Sequence, residues 1–132
     1  MSIPVAPNKR FQEAARTGDA DKVKQLLPIS DPTEDFSYVI RAAAGNGHLH
    51  TLKVLLEDGR ANPADWDNQA IRWAAEYGHY ECVDLLLKDV RVDPTAKDNY
   101  ALRMAEKNGH LAVVMTLLAD DRFSLWGEIT SD

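Results

Sequence analysis

Histidine is the residue type here that most readily suggests chemistry, because imidazole binds metals and carries protons near neutral pH. Three of the four histidines, His48, His79 and His110, recur 31 residues apart (79 − 48 and 110 − 79), each directly after a glycine. That regularity argues against a metal site. Equivalent positions on adjacent packed helices lie roughly 8–10 Å apart, whereas zinc–nitrogen bonds are about 2 Å, so a ladder of equivalents cannot close on one ion. His48 and His50 are neighbours in sequence, with no further cysteine or carboxylate at a ligand spacing. Each ladder histidine is therefore expected to cap and orient the helix that follows it, and no metal or other cofactor is expected.

Arg41, Arg72 and Arg103 form a second ladder with the same 31-residue interval (72 − 41 and 103 − 72). A guanidinium fork suits oxyanions, so a phosphate or an acidic segment is one reading. Asp67 and Asp98 give an internal one: each precedes its arginine by five residues (72 − 67 and 103 − 98) across a tight turn. The sequence thus predicts ion pairs that rigidify the turns, with Glu34 and Asp35 as the candidates for Arg41. The lone Cys82 aligns with Thr51 and Val113, where a small side chain packs, so a buried and inert thiol is expected. There is no nucleophile elbow, no phosphate-cradling glycine loop and no His–Ser pair at a recognisable spacing. No catalytic residues are assigned, and an enzyme is not expected.

The elements that position these ladders repeat as a block. Ile40-Arg41-Ala42-Ala43-Ala44-Gly45-Asn46-Gly47 returns as Ile71-Arg72-Trp73-Ala74-Ala75-Glu76-Tyr77-Gly78 and as Leu102-Arg103-Met104-Ala105-Glu106-Lys107-Asn108-Gly109. After each Gly-His comes a second apolar run: Leu52 to Leu56, Val83 to Leu87, and Val113 to Leu118. Pro63 and Pro94 then close off the helix. A degenerate first copy at Phe11–Gly18, followed by Val23, Leu26 and Leu27, carries Lys9, Arg10, Glu13, Arg16, Lys22 and Lys24, the polar face that a terminal repeat needs. A helical hairpin with one apolar face cannot stand alone, so the units must stack. The expected fold is an all-α solenoid of four helix-turn-helix units with short connecting turns. It forms a single domain, 1–132, with repeats at about 8–36, 37–67, 68–98 and 99–124 and a capping tail at 125–132.

These residues resemble the ankyrin repeat, whose pattern places Thr-Pro-Leu-His at the first helix, then Ala-Ala, Gly-His and a leucine run. The resemblance covers roughly Asn8 to Phe123. Two departures stand out. Arg41, Arg72 and Arg103 occupy the position of the family's histidine, and the period is 31 rather than about 33, which predicts blunt fingers. What the resemblance implies is a scaffold that binds another protein on the concave face formed by first helices and finger tips.

Composition narrows the partner. Fifteen basic against 21 acidic residues give a formal charge of 15 − 21 = −6, the wrong sign for a nucleic acid or an anionic membrane. No apolar run reaches the roughly 20 residues of a membrane span, and Met1–Arg10 lacks the apolar region of a secretory signal. An intracellular setting, cytoplasmic or nuclear, follows from this and from the single cysteine. The residues expected to bind the partner are Trp66, Gln69, Trp73, Tyr77, Tyr100, Met104 and Lys107, which occupy variable positions of the repeat and are rich in the aromatic types that dominate binding hot spots. A competing reading has Trp73 and Met104 filling the groove between first helices. Leu125, Trp126 and Ile129 are expected to fold over the fourth pair as a cap. A monomer is expected, with a tail-mediated dimer as its rival, and the alternative to an adaptor, scaffold or inhibitor is a regulatory or targeting fragment of a larger multi-domain protein.

Overall fold

Glycine-ended, alanine-rich helices set the architecture of the protein, seen here in a computed structural model that describes residues 7–123. First helices α1 (Pro7–Thr17), α3 (Glu34–Gly45), α5 (Asp65–Glu76) and α7 (Ala96–Lys107) alternate with second helices α2 (Ala20–Leu26), α4 (Leu49–Asp58), α6 (Tyr80–Leu87) and α8 (Leu111–Leu118). First helices pack on first helices and second helices on second helices, giving two layers. Among the described residues there is no strand.

Each first helix ends where a glycine can turn left-handed. At Gly47 φ is +76°, and the following His48 N–H reaches back to Ala43 O at 2.8 Å. The same bond joins His79 to Ala74 and His110 to Ala105, which satisfies carbonyls that would otherwise be orphaned at the helix end. Between the layers, Ile40, Leu52, Leu55, Ile71, Val83, Leu86, Val113 and Leu117 are fully buried. Alanines at 14, 15, 43, 44, 74, 75 and 105 let the first helices approach closely, and Phe11 fills the first repeat's share of the core.

Every interior finger has an unusual backbone. Asp35-Phe36-Ser37, Trp66-Asp67-Asn68 and Lys97-Asp98-Asn99 all sit near φ +51° to +61°, a single left-handed turn that runs directly into a right-handed helix. Left-handed α conformation costs about 1–2 kcal/mol per non-glycine residue, so each finger carries several kcal/mol that its contacts must offset. Part of the offset is a hydrogen bond across the turn, Ser37 N–H to Thr33 O at 3.0 Å, Asn68 to Ala64 at 2.9 Å and Asn99 to Thr95 at 2.9 Å. A further part ties neighbouring fingers: Asn62 N–H donates to Ser37 Oγ at 2.9 Å, and Asp93 N–H to Asn68 Oδ1 at 2.8 Å.

Adjacent repeats are also clamped on the second-helix side. Arg60, Arg91 and Arg122 each pair with the aspartate two residues earlier, at 2.8, 2.8 and 2.7 Å, and each donates to a carbonyl of the preceding repeat, at Ser30, Ala61 and Val92. These pairs hold Asp58, Asp89 and Asp120 below the usual carboxylate pKa, chiefly through the hydrogen bonds from their arginines. Burial holds the His79 imidazole below its ordinary value. The signs give two acid transitions. Because native His79 resists a proton that the unfolded chain accepts, stability is lost as pH falls below about 6.5. The paired aspartates contribute stability that is lost only in the lower carboxylate range, beginning below about pH 5. Urea titrations from pH 8 to pH 3 are expected to show both steps, and His79→Gln to remove the upper one alone.

Candidate functional site

The arginine ladder anchors the fingers from behind. Arg41 is only 6% exposed; its Nε donates to Phe36 O at 3.1 Å, its Nη2 to Asp35 O at 2.7 Å and its Nη1 to Gln69 Oε1 at 2.6 Å. Its guanidinium lies 4.5 Å from the Trp66 ring centroid and 5.6 Å from that of Tyr38. Burial lowers its pKa, while Asp65 and Asp35 act in the opposite sense. Arg72 reaches Asp67 O at 2.9 Å and Trp66 O at 2.8 Å, and Arg103 reaches Asp98 O at 2.8 Å and Lys97 O at 3.2 Å. The expected ion pairs from Asp67 to Arg72 and from Asp98 to Arg103 are therefore corrected. The left-handed turn presents its carbonyls to the arginine, and those carbonyls need donors more than the solvated carboxylates do.

The histidines also do something other than expected. His48, His79 and His110 stand at the N-cap positions of α4, α6 and α8, yet none makes a side-chain capping bond. Their rings reach back over the glycine of the preceding repeat. A Cβ on Gly18, Gly47 or Gly78 would lie 2.5, 2.6 or 2.7 Å from Nδ1 of His48, His79 or His110. His48 Nε2 is 2.9 Å from Arg16 O. Among the described residues, no group of three or more metal-binding side chains converges. Cys82 is buried on α6, where burial, with Glu81 adding to it, pushes the thiol up to about 11. A thiol so rarely ionised is a poor nucleophile.

What remains open to a partner centres on α5. Trp66 is 54% exposed, Trp73 36% and Tyr77, which caps α5, 59%. Trp73 and Tyr77 line a cleft of about 500 Å³ with Ala42, Gly45, Asn46 and His79. The cleft exists because α3 is stripped of side chains there. Ala42 stands where the later repeats carry Trp73 and Met104, and Gly45 where they carry Glu76 and Lys107. The Trp73 ring settles over Gly45, its Cε3 3.0 Å from where a Cβ would be. Trp73 thus fills part of the inter-helix groove and offers its remaining surface outward.

The other expected contact residues divide. Lys107 is exposed and Met104 half-buried on α7. Tyr100 is half-buried; its hydroxyl donates to Glu76 Oε1 at 2.6 Å, which raises its pKa, and its ring lies between Arg72 and Arg103 at 5.3 and 5.9 Å. Gln69 is buried and turned inward onto Arg41. Two surface aromatics escaped the sequence reading, Phe36 and, on α6, Tyr80. Phe36, 64% exposed, pairs with Trp66 at 6.1 Å between centroids and 48° between planes. Its signal was a break in the pattern, an aromatic where the next two fingers have Asp67 and Asp98.

Stacked helical hairpins joined by glycine turns, with an aromatic cleft on the first-helix layer, define a helical-repeat scaffold. No helix among the described residues is long and apolar enough to cross a membrane. The family profile described as ankyrin repeats matches residues 11–98 in three copies, well over half of the chain, and the protein belongs to the ankyrin-repeat family. No curated protein matches it. Ankyrin repeats are generally non-catalytic modules for protein–protein interaction.

Proposed function

We propose that the protein is an intracellular adaptor, scaffold or inhibitor that acts as a monomer and holds another protein against its concave face. The observation that carries this reading is the cleft beneath Trp73 and Tyr77, a preformed recess bordered by two partly exposed aromatic rings. Trp66, Met104 and Lys107 extend the surface to either side, and Tyr100 supports it through Glu76. Rings of this kind bury large area at low entropic cost, and a stable complex on such a face covers about 800 Å² per partner.

The test is capture on the immobilised protein, repeated with Trp73→Ala and Tyr77→Ala together. Loss of two anchors is expected to weaken the captured partner by at least about tenfold while circular dichroism is unchanged. Undiminished binding by a folded double variant would remove this face from consideration. A second reading, that the repeats are the regulatory or targeting part of a larger protein, draws support from α8, whose Leu111, Met115 and Leu118 remain exposed.

A further inference from the structure

We infer that the partner's contact segment is an extended basic peptide that crosses the tips of the fingers at Phe36 and Trp66. This rests on the concave-face reading and assigns the chemistry of what that face takes. The tips are one-signed. Glu34, Asp35, Asp65, Asp67 and Asp98 are opposed there by Lys97 alone, so the rows 34–36, 65–67 and 96–98 sum to 1 − 5 = −4. Asp67 has a distant pairing with Lys97 at 3.8 Å; Asp35 accepts from Gln12 at 3.0 Å and Glu34 from Asn8, both neutral donors. The arginines behind the fingers make no ion pair with these carboxylates among the described residues; the hydrogen bonds they donate go to backbone carbonyls and Gln69.

Amid these charges stands the exposed Phe36–Trp66 pair, two rings tilted against each other at the tips. Arg41 lies against Trp66 from the protein side, and Phe36 and Trp66 remain 64% and 54% exposed as residues. An aromatic face ringed by carboxylates attracts a cation twice over, through the ring quadrupole and through Coulomb attraction, and repels an acidic segment. Spacing fixes the register. Adjacent first helices sit roughly 8–10 Å apart, and an extended peptide advances about 3.3 Å per residue, so basic side chains three residues apart meet successive fingers. Apolar residues between them can turn toward Trp73 and Tyr77 on the same helix.

Fluorescence anisotropy tests this with a short fluorescein-labelled peptide that has arginine at every third position and leucine and serine between. A second probe carries glutamate in place of each arginine. The arginine peptide is expected to bind, to weaken steeply as salt is raised, and to lose at least tenfold in affinity to Trp66→Ala and to Asp65→Asn with Asp67→Asn. Glu57→Gln with Asp84→Asn, on second helices, should leave binding unchanged. Equal binding of the glutamate peptide, or no binding of the arginine peptide, overturns the inference. So does binding that ignores the tip variants, and if Trp73→Ala with Tyr77→Ala still abolishes it, the concave-face reading survives while the basic-peptide assignment falls. Circular dichroism of each variant confirms the fold, since the aspartate substitutions keep the Asp67 carbonyl that Arg72 holds and give up only the long Asp67–Lys97 pairing.

Discussion

Arg41→Ala is expected to lower the unfolding free energy by about 3 kcal/mol, several times the effect of Arg72→Ala or Arg103→Ala, at about 1 kcal/mol or less. All three arginines serve the same two carbonyls of their own finger. Arg41 alone is buried, bonded to a second repeat through Gln69 and stacked beneath Trp66. Its removal strands the carbonyls of Asp35 and Phe36 and the carboxamide of Gln69 where water reaches them poorly, and it leaves a left-handed turn without its anchor. Lysine cannot replace the fork, so Arg41→Lys should recover only a minor part of the loss. Equilibrium urea denaturation of the four variants measures this. Equal losses for Arg41→Ala and Arg103→Ala would show that burial and the Gln69 bond contribute nothing.

Gly47→Ala is expected to cost about 3 kcal/mol and Gly109→Ala only about 1 kcal/mol, although both glycines have nearly the same backbone. The φ values are +76° and +73°, so the left-handed penalty is shared. Contact distinguishes them. A Cβ at Gly47 would collide with the His79 ring, whereas at Gly109 nothing among the described residues lies within 4 Å. In a His79→Ala background the cost of Gly47→Ala should fall to the Gly109 level, a double-mutant cycle that isolates the collision. Persistence of the full cost would place it in the backbone instead.

The fold was legible because periodicity reports burial. Gly-His, Ala-Ala and the leucine runs recur where the core needs them, and the repeats stack as that pattern requires. Hydrogen-bond partners were less legible. Sequence spacing brought Asp67 close to Arg72 but carried no information on which oxygen the guanidinium would choose, since that depended on a left-handed turn built from residues other than glycine. The Asp-x-Arg clamps at 58–60, 89–91 and 120–122 also recur every 31 residues, a period the sequence reading passed over, and their reach to a carbonyl one repeat back appears only in three dimensions. The cleft followed a similar logic. Trp73 and Tyr77 drew notice as aromatics at variable positions, but the space beneath them comes from the smallness of Ala42 and Gly45 one repeat earlier. The cap expected of Leu125, Trp126 and Ile129 lies outside the described residues.

The histidine-over-glycine contact is directional, each ring facing the N-terminal neighbour, and that gives the array a polarity like that of a zipper. Gly18, Gly47 and Gly78 are each pinned by the histidine of the following unit. Opening of the α7–α8 pair must break His110 from Gly78 before it can travel inward. Helices α3 and α5, which hold the aromatic cleft and the Phe36–Trp66 pair, are held from both sides and open last. The protein can lose order at one end and keep its grip.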